Sequence, residues 1–331
     1  MRPRIRATAA ASALLVLGSV AVTLLALEAA LRLRSEGFLR PPPSGGRLNL
    51  TESRYPARYD ETLGYMPRPG AGGRDNVWRA EVNIDAQGFR SNGRAARPPG
   101  PPIVALGDSF TFGDEVDDDQ TWPAHLERIL GRPVWNAGVF GYGFDQMVLR
   151  AERIAESAQP ALLVASVIGE TVERCGYAYR FAAKPWFEIA ADGLALRNVP
   201  VRPPRAGGSP LAWLVKTSHL ASLLARRLDP VRWALPDTVR AHGQDLPVAR
   251  RLLDRLQALA DERGFGLLLV GQMVPGRDDT SARRLLAHAE RAGVAVLAVE
   301  PESFVADPSD PEQLGRFFTS WRTASRWRPG T

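Results

Sequence analysis

From Ile103 onward, short apolar runs alternate with stretches of helical periodicity. Ile103–Leu106, Val134–Asn136, Leu162–Ile168, Gly266–Val270 and Val294–Val299 predict strands, and residues 119–130, 144–157, 247–263 and 279–292 predict amphipathic helices. The last two helices place apolar residues at spacings of three and four. Strands that read as continuous apolar runs suit a parallel sheet, because βαβ crossovers cover both of its faces with helices. The expected fold class is therefore α/β, a three-layer α/β/α sandwich of five strands. Thr171 to Asp245 interrupts this rhythm with a Pro/Arg/Gly-rich loop at 200–209 and an apolar helix-like segment near 211–227. It is too long for an ordinary connection and is expected to be an insertion after the third strand, over one end of the sheet.

The N-terminus follows a different rule. Ala7 to Leu27 carries no charged side chain, enough at about 1.5 Å per residue to cross a hydrocarbon core of about 30 Å. Arg2, Arg4 and Arg6 precede it, as in a signal peptide, but no small-x-small cleavage site follows. Glu28 and Arg32, four apart, favour a helix that continues past the apolar run. The expectation is a retained single-pass anchor that contacts the membrane through residues 7–31. The main domain is expected on the extracytoplasmic side, although arginines on both flanks leave charge a poor guide to orientation. The organisation expected is a basic segment and anchor at 1–34, a linker at 35–54 containing Pro-Pro-Pro-Ser-Gly-Gly, and one domain at 55–331. Within that domain, 55–102 is a turn-rich extension with small strands and 171–245 is the insertion.

Composition narrows the function. The 331-residue chain has a formal charge of +6, but its cations are nearly all Arg and are scattered rather than striped, which argues against nucleic acid as a partner. Cys175 is the only cysteine, so no intramolecular disulfide and no CxxC metal site is available. No cofactor and no metal are expected.

Two glycine turns concentrate the chemistry. In Ile103-Val-Ala-Leu-Gly-Asp-Ser-Phe-Thr-Phe-Gly113, Ser109 directly follows a buried strand, where open α/β sheets expose reactive groups. Such a serine presents its hydroxyl beside its own free backbone N–H. In Val134-Trp-Asn-Ala-Gly-Val-Phe-Gly-Tyr-Gly143, the next βα unit, Gly141 lets the backbone approach a bound acyl group and offers a second N–H.

These blocks resemble the GDSL/SGNH hydrolase superfamily, best over Ile103 to Gly169 and more loosely over Asn83–Arg90 and Tyr177–Glu188. The resemblance implies a flavodoxin-like parallel sheet and a serine esterase mechanism. Ser109 would be the nucleophile, and the N–H groups of Ser109 and Gly141 would be oxyanion donors. Gly107, Asp108 and Asn136 would support the turn. Two departures stand out. Glu170 occupies the position at which the family supplies an oxyanion Asn, and an ionised carboxylate cannot donate. No His follows Val299, where the family carries its Asp-x-x-His motif. The four histidines are His125, His219, His242 and His288, and none has an Asp three positions earlier. Asp307 and Asp310 are expected to be turn residues. Residues 316–331 lack apolar periodicity, which suggests an end out of frame with its ancestor.

The function expected is an ester hydrolase with an incomplete triad, acting on an acylated small molecule or a cell-surface glycan. The alternatives are a catalytically impaired glycan-binding or scaffold protein at the membrane, and a polysaccharide O-acetyltransferase. Tyr177, Tyr179, Arg180 and the run Lys184-Pro-Trp-Phe-Glu188 offer an aromatic platform for sugar rings or, equally, a small core of the insertion. Cys175 is expected to be a buried small residue.

Overall fold

The computed structural model describes residues 3–34, 56–74, 80–94, 96–191, 193–203, 210–228 and 238–303. The predicted linker, Asp307, Asp310 and the 316–331 ending lie outside these. The chain divides into two compact units, Met1–Leu48 with Arg205–Val239, and Asn49–Pro204 with Arg240–Thr331.

In the first unit, α1 (Pro3–Arg34) is one helix of 32 residues. Its Leu15–Arg34 stretch, of mean hydropathy 1.8, is long and apolar enough to cross a membrane, as a signal sequence also can be.

The second unit opens with two antiparallel hairpins. β1 (Ala57–Asp60) pairs with β2 (Gly64–Pro67), and β3 (Gly72–Arg74) with β4 (Glu81–Asn83). The main sheet contains β5 (Ile103–Leu106), β6 (Val134–Asn136) and β7 (Leu162–Val167), joined by later strands from the same unit. Between them run α2 (Ser109–Phe112), α3 (Trp122–Leu130) and α4 (Phe144–Ser157). Then come α5 (Gly169–Glu173), β8 (Tyr177–Arg180), β9 (Ala182–Ala183), β10 (Trp186–Ala190) and β11 (Gly193–Arg197). The 211–227 segment, part of the first unit, is two helices, α6 (Pro210–Thr217) and α7 (His219–Leu228). After β12 (Thr238–Arg240), the chain returns to the sandwich with α8 (Asp245–Arg263), β13 (Gly266–Gln272), α9 (Thr280–Arg291) and β14 (Ala295–Val299).

The five-stranded sheet runs β14-β13-β7-β5-β6, every neighbouring pair parallel. In order of appearance this is 2-1-3-4-5, the flavodoxin-like order, with its switch point between β5 and β7. All four residues of β5 are buried, as a central strand covered on both faces requires. Ile103, Ala105, Val134, Val164 and Val270 form the core of one face, where Trp122 and Leu126 of α3 pack against them. Right-handed crossovers put α4, α8 and α9 on the other face, where α8 touches both of the others. Strand and helix ends agree with the sequence pattern to within about three residues, except that Asp118–Gln120 is a separate 3₁₀ turn before α3.

Candidate active site

β5 delivers the chain to Gly107-Asp108-Ser109 at the carboxyl end of the sheet. The turn is so tight that a Cβ on Gly107 would lie 2.0 Å from Thr111 Oγ1 and 3.3 Å from Ser166 O. Asp108 caps α2: its Oδ1 accepts from the Phe110 N–H at 3.0 Å. Ser109 is the first residue of that one-turn helix, which Gly113 closes in the left-handed conformation, its N–H donating to Ser109 O at 2.7 Å. A first-turn N–H has no partner within its own helix. Among the described residues nothing hydrogen-bonds the Ser109 N–H or Oγ, and the side chain is partly exposed.

Two buried polar residues fix the far end of α2. Asn136 Nδ2 donates to Thr111 O at 3.0 Å, and its Oδ1 accepts from the Gly138 N–H at 3.1 Å. Arg90, 1% exposed, satisfies its whole guanidinium here. Nε donates to Asp118 Oδ1 at 3.0 Å, Nη1 to Phe112 O at 2.7 Å and to Gly113 O, and Nη2 to Val116 O at 2.6 Å and Glu81 O at 3.1 Å. The extension thereby holds the carbonyl end of the serine helix.

The second glycine turn is zipped to the first. Ala137 N–H donates to Ala105 O at 2.8 Å and Val139 N–H to Gly107 O at 3.0 Å. Gly141 has φ +74°, and a Cβ there would meet Phe181 Cδ2 at 2.8 Å and Tyr65 Oη at 3.0 Å. Phe181 stacks on Phe140 with centroids 4.7 Å apart, and Tyr65 Oη donates to Phe140 O at 2.7 Å. The Gly141 N–H has no partner among the described residues and sits beside an aromatic wall.

The sheet has the flavodoxin-like parallel order. The 2-1-3-4-5 parallel order, with a serine turn after the first strand and a glycine turn after the second, is the arrangement those motifs imply. No protein-family model matches the chain, and no curated protein matches it. Among solved structures it is similar to a serine-to-alanine mutant of the esterase AlinE4, at 15% identity over 71% of this chain and 100% of that one, TM-score 0.37. It is also similar to a protein described as lipolytic, of the G-D-S-L family, from Desulfitobacterium hafniense DCB-2, at 16% identity over 69% and 99%, TM-score 0.35. A third is described as an acylhydrolase from Bacteroides fragilis NCTC 9343, at 13% identity over 70% and 91%, TM-score 0.32.

The third turn, after β7, carries Glu170. Its carboxylate is held between two guanidiniums, Arg174 Nη2 at 2.9 Å and Arg277 Nη1 at 2.5 Å, at the edge of a shallow recess lined by Ile168, Gln272 and Val274. Arg174 also reaches Asp108 Oδ2 at 2.8 Å and Tyr142 O at 3.0 Å, and Thr171 Oγ1 donates to the same Asp108 oxygen at 3.0 Å. Asp108, Arg174, Glu170 and Arg277 thus form one alternating-charge chain. Its two arginines are absent from the sequence reading. Arg174 is signalled only by its spacing of four from Glu170, the favourable order for a helical ion pair, and Arg277 by nothing local.

Two histidines are paired away from the serine turn. His242 Nε2 pairs with Phe187 O at 2.7 Å while its Nδ1 accepts from the Gln244 N–H at 3.0 Å. His288 Nε2 pairs with Asp254 at 2.8 Å, His125 lies on the exposed face of α3, and His219 belongs to the other unit. Of the three histidines in the unit of Ser109, none hydrogen-bonds its Oγ.

The aromatic platform is not formed as an exposed face. Phe187 and Tyr179 are core residues, at 0% and 6% exposure. Lys184 is buried, its Nζ donating to Asp145 Oδ2 at 2.5 Å and to the carbonyls of Arg174 and Tyr177, each at 3.1 Å. Those three acceptors use all the protons of a charged amine, so the segment serves as an internal clasp. Burial pushes the Asp145 carboxyl up, with Lys184 opposing it. Cys175 is fully buried and burial raises its thiol well above its ordinary range, which removes it as a nucleophile. Among the described residues no group of three or more His, Cys, Asp or Glu side chains is placed to hold a metal.

Proposed function

We propose that this chain is a serine-dependent ester hydrolase in which Ser109 Oγ attacks the carbonyl carbon of an acylated small molecule. The observation that carries the proposal is a partly exposed hydroxyl on the first residue of a capped helix, with N–H groups on that residue and on Gly141 of the turn zipped to it that no described residue pairs. In the reaction an Oγ–C bond forms, negative charge gathers on the carbonyl oxygen, and the two N–H groups stabilise it. The alkoxy C–O bond then breaks, the alcohol leaves with a proton, and water releases the acyl group. The stacked rings of Phe140 and Phe181 suit an apolar acyl chain.

Because no histidine of the same unit takes the Ser109 proton, turnover is slow: oxyanion stabilisation and binding alone sustain about 10³–10⁴-fold over water in serine hydrolases that lack a triad member. Hydrolysis of p-nitrophenyl acetate by the detergent-solubilised chain, compared with Ser109→Ala, tests this. Loss of the excess rate in the variant supports it, and equal rates refute it.

A second reading is favoured by Glu170, a clamped carboxylate in place of an amide donor. In it the chain binds an acylated glycan at a membrane without turning it over, and Ser109→Ala leaves binding intact. Transfer of the acyl group to a supplied sugar, in preference to water, would instead mark an O-acetyltransferase. In each case α1 is the anchor and the site is extracytoplasmic.

A further inference from the structure

The Glu28 side chain is the N-terminal cap of a helix that begins 191 residues later. Its Oε1 accepts from the His219 N–H at 3.0 Å and its Oε2 from the Leu220 N–H at 2.9 Å and Ser218 Oγ at 2.8 Å. Arg32 completes the joint: Nε donates to Glu28 Oε1 at 2.7 Å and Nη2 to Thr217 O at 2.7 Å. The carboxylate takes up orphan amides at the start of α7, and the guanidinium a carbonyl at the end of α6. The joint lies one residue beyond the uncharged stretch Ala7–Leu27, which spans about 30 Å, so a helix inserted through that stretch brings Glu28 to the water boundary of the bilayer.

The hairpin fastened there is apolar on its outside. Leu211, Trp213, Leu214, Leu223, Leu224 and Leu228 are 49, 67, 44, 42, 51 and 86% exposed. Exposed apolar side chains gathered on one hairpin mark an interaction surface, and Trp beside Leu is the composition of a membrane–water interface. α7 packs against α1, whose own leucines and valines from Leu15 to Leu27 are exposed.

We propose that α6 and α7 lie in the interfacial layer of the bilayer as a second membrane-contacting element, fixed to α1 through Glu28 and Arg32. The proposal rests on reading α1 as the anchor. It adds that α1 is part of a folded unit, because removing α1 would uncap α7.

The test uses the full chain in phosphatidylcholine vesicles with and without brominated acyl chains, comparing wild type with Trp213→Phe. The expected result is a component of bromolipid-quenched tryptophan emission that is lost in Trp213→Phe. Equal quenching in both proteins overturns the proposal, whether Trp213 is then reached by acrylamide in water or shielded by another protein. Glu28→Ala is expected to diminish the Trp213 component while the chain stays in the membrane; an undiminished component overturns the coupling to α1. Alkaline carbonate extraction separates the two layers of the argument. Release of wild type refutes the anchor, whereas retention without a Trp213 signal refutes the hairpin alone.

Discussion

Arg174 Nη1 sits 2.8 Å from Asp108 Oδ2 while Nη2 of the same guanidinium sits 2.9 Å from Glu170 Oε2, tying the turn after β7 to the serine turn after β5. The Arg174 side chain is 5% exposed and that of Asp108 2%, but that of Glu170 is 38%. The inner pair is therefore far less screened than the outer one.

Arg174→Met strands the buried Asp108 carboxylate. Breaking a buried pair from one side costs about 3–5 kcal/mol. Glu170→Gln, at the exposed end, costs less than about 1 kcal/mol. Thermal unfolding of the two variants checks the ranking, and equal losses would contradict the network as described.

Gly141→Ala meets two obstacles: a left-handed φ, which costs an L-residue about 1–2 kcal/mol, and contact with Phe181. The side chain displaces either the aromatic ring or the N–H. If that N–H stabilises the oxyanion, kcat for ester hydrolysis falls about 10²-fold. Adding Phe181→Leu restores part of it by making room. A Gly141→Ala protein with unchanged kcat removes Gly141 from the site.

Asp60 predicts a pH dependence. Burial raises its carboxyl, but two bonds from Arg153, at 2.8 and 3.0 Å, and the N–H groups of Leu63 and Thr62 outweigh burial and hold it below its ordinary value. A depressed acid stabilises the fold above its unfolded pKa, and the contribution disappears as pH falls through its folded pKa. Asp60→Asn is expected to cost about 1 kcal/mol at neutral pH, a modest value because Arg153 is 38% exposed. The gap from wild type should close as the pH falls below the ordinary carboxylate range. A gap that widens in acid would reverse the sign.

The sheet was legible because its signal is local. Four consecutive apolar residues at Ile103–Leu106, bounded by Gly107, can be only a short buried element. The turns that carry Ser109 and Gly141 are legible because their glycines stand where no side chain fits. Arg90 was not. Within Asn83–Arg90 it looks like one more surface cation, and its role depends on carbonyls of residues 81, 112, 113 and 116 converging on one point. Lys184 and Phe187 leave an exposed platform and a small core equally open in sequence for a related reason: only tertiary packing decides between them, and it buries both. Glu28 showed its helical pairing with Arg32 in sequence but not its bonds to residues 218–220.

The central claim is that Ser109 carries the acyl group. Incubation with p-nitrophenyl acetate, an acid quench and peptide mass spectrometry test it most directly, because a serine without a histidine partner deacylates slowly and the adduct accumulates. The account predicts an acetyl group on the peptide containing Ser109 and none on that peptide in Ser109→Ala. An unmodified Ser109 in a protein that still releases p-nitrophenol above background would contradict it.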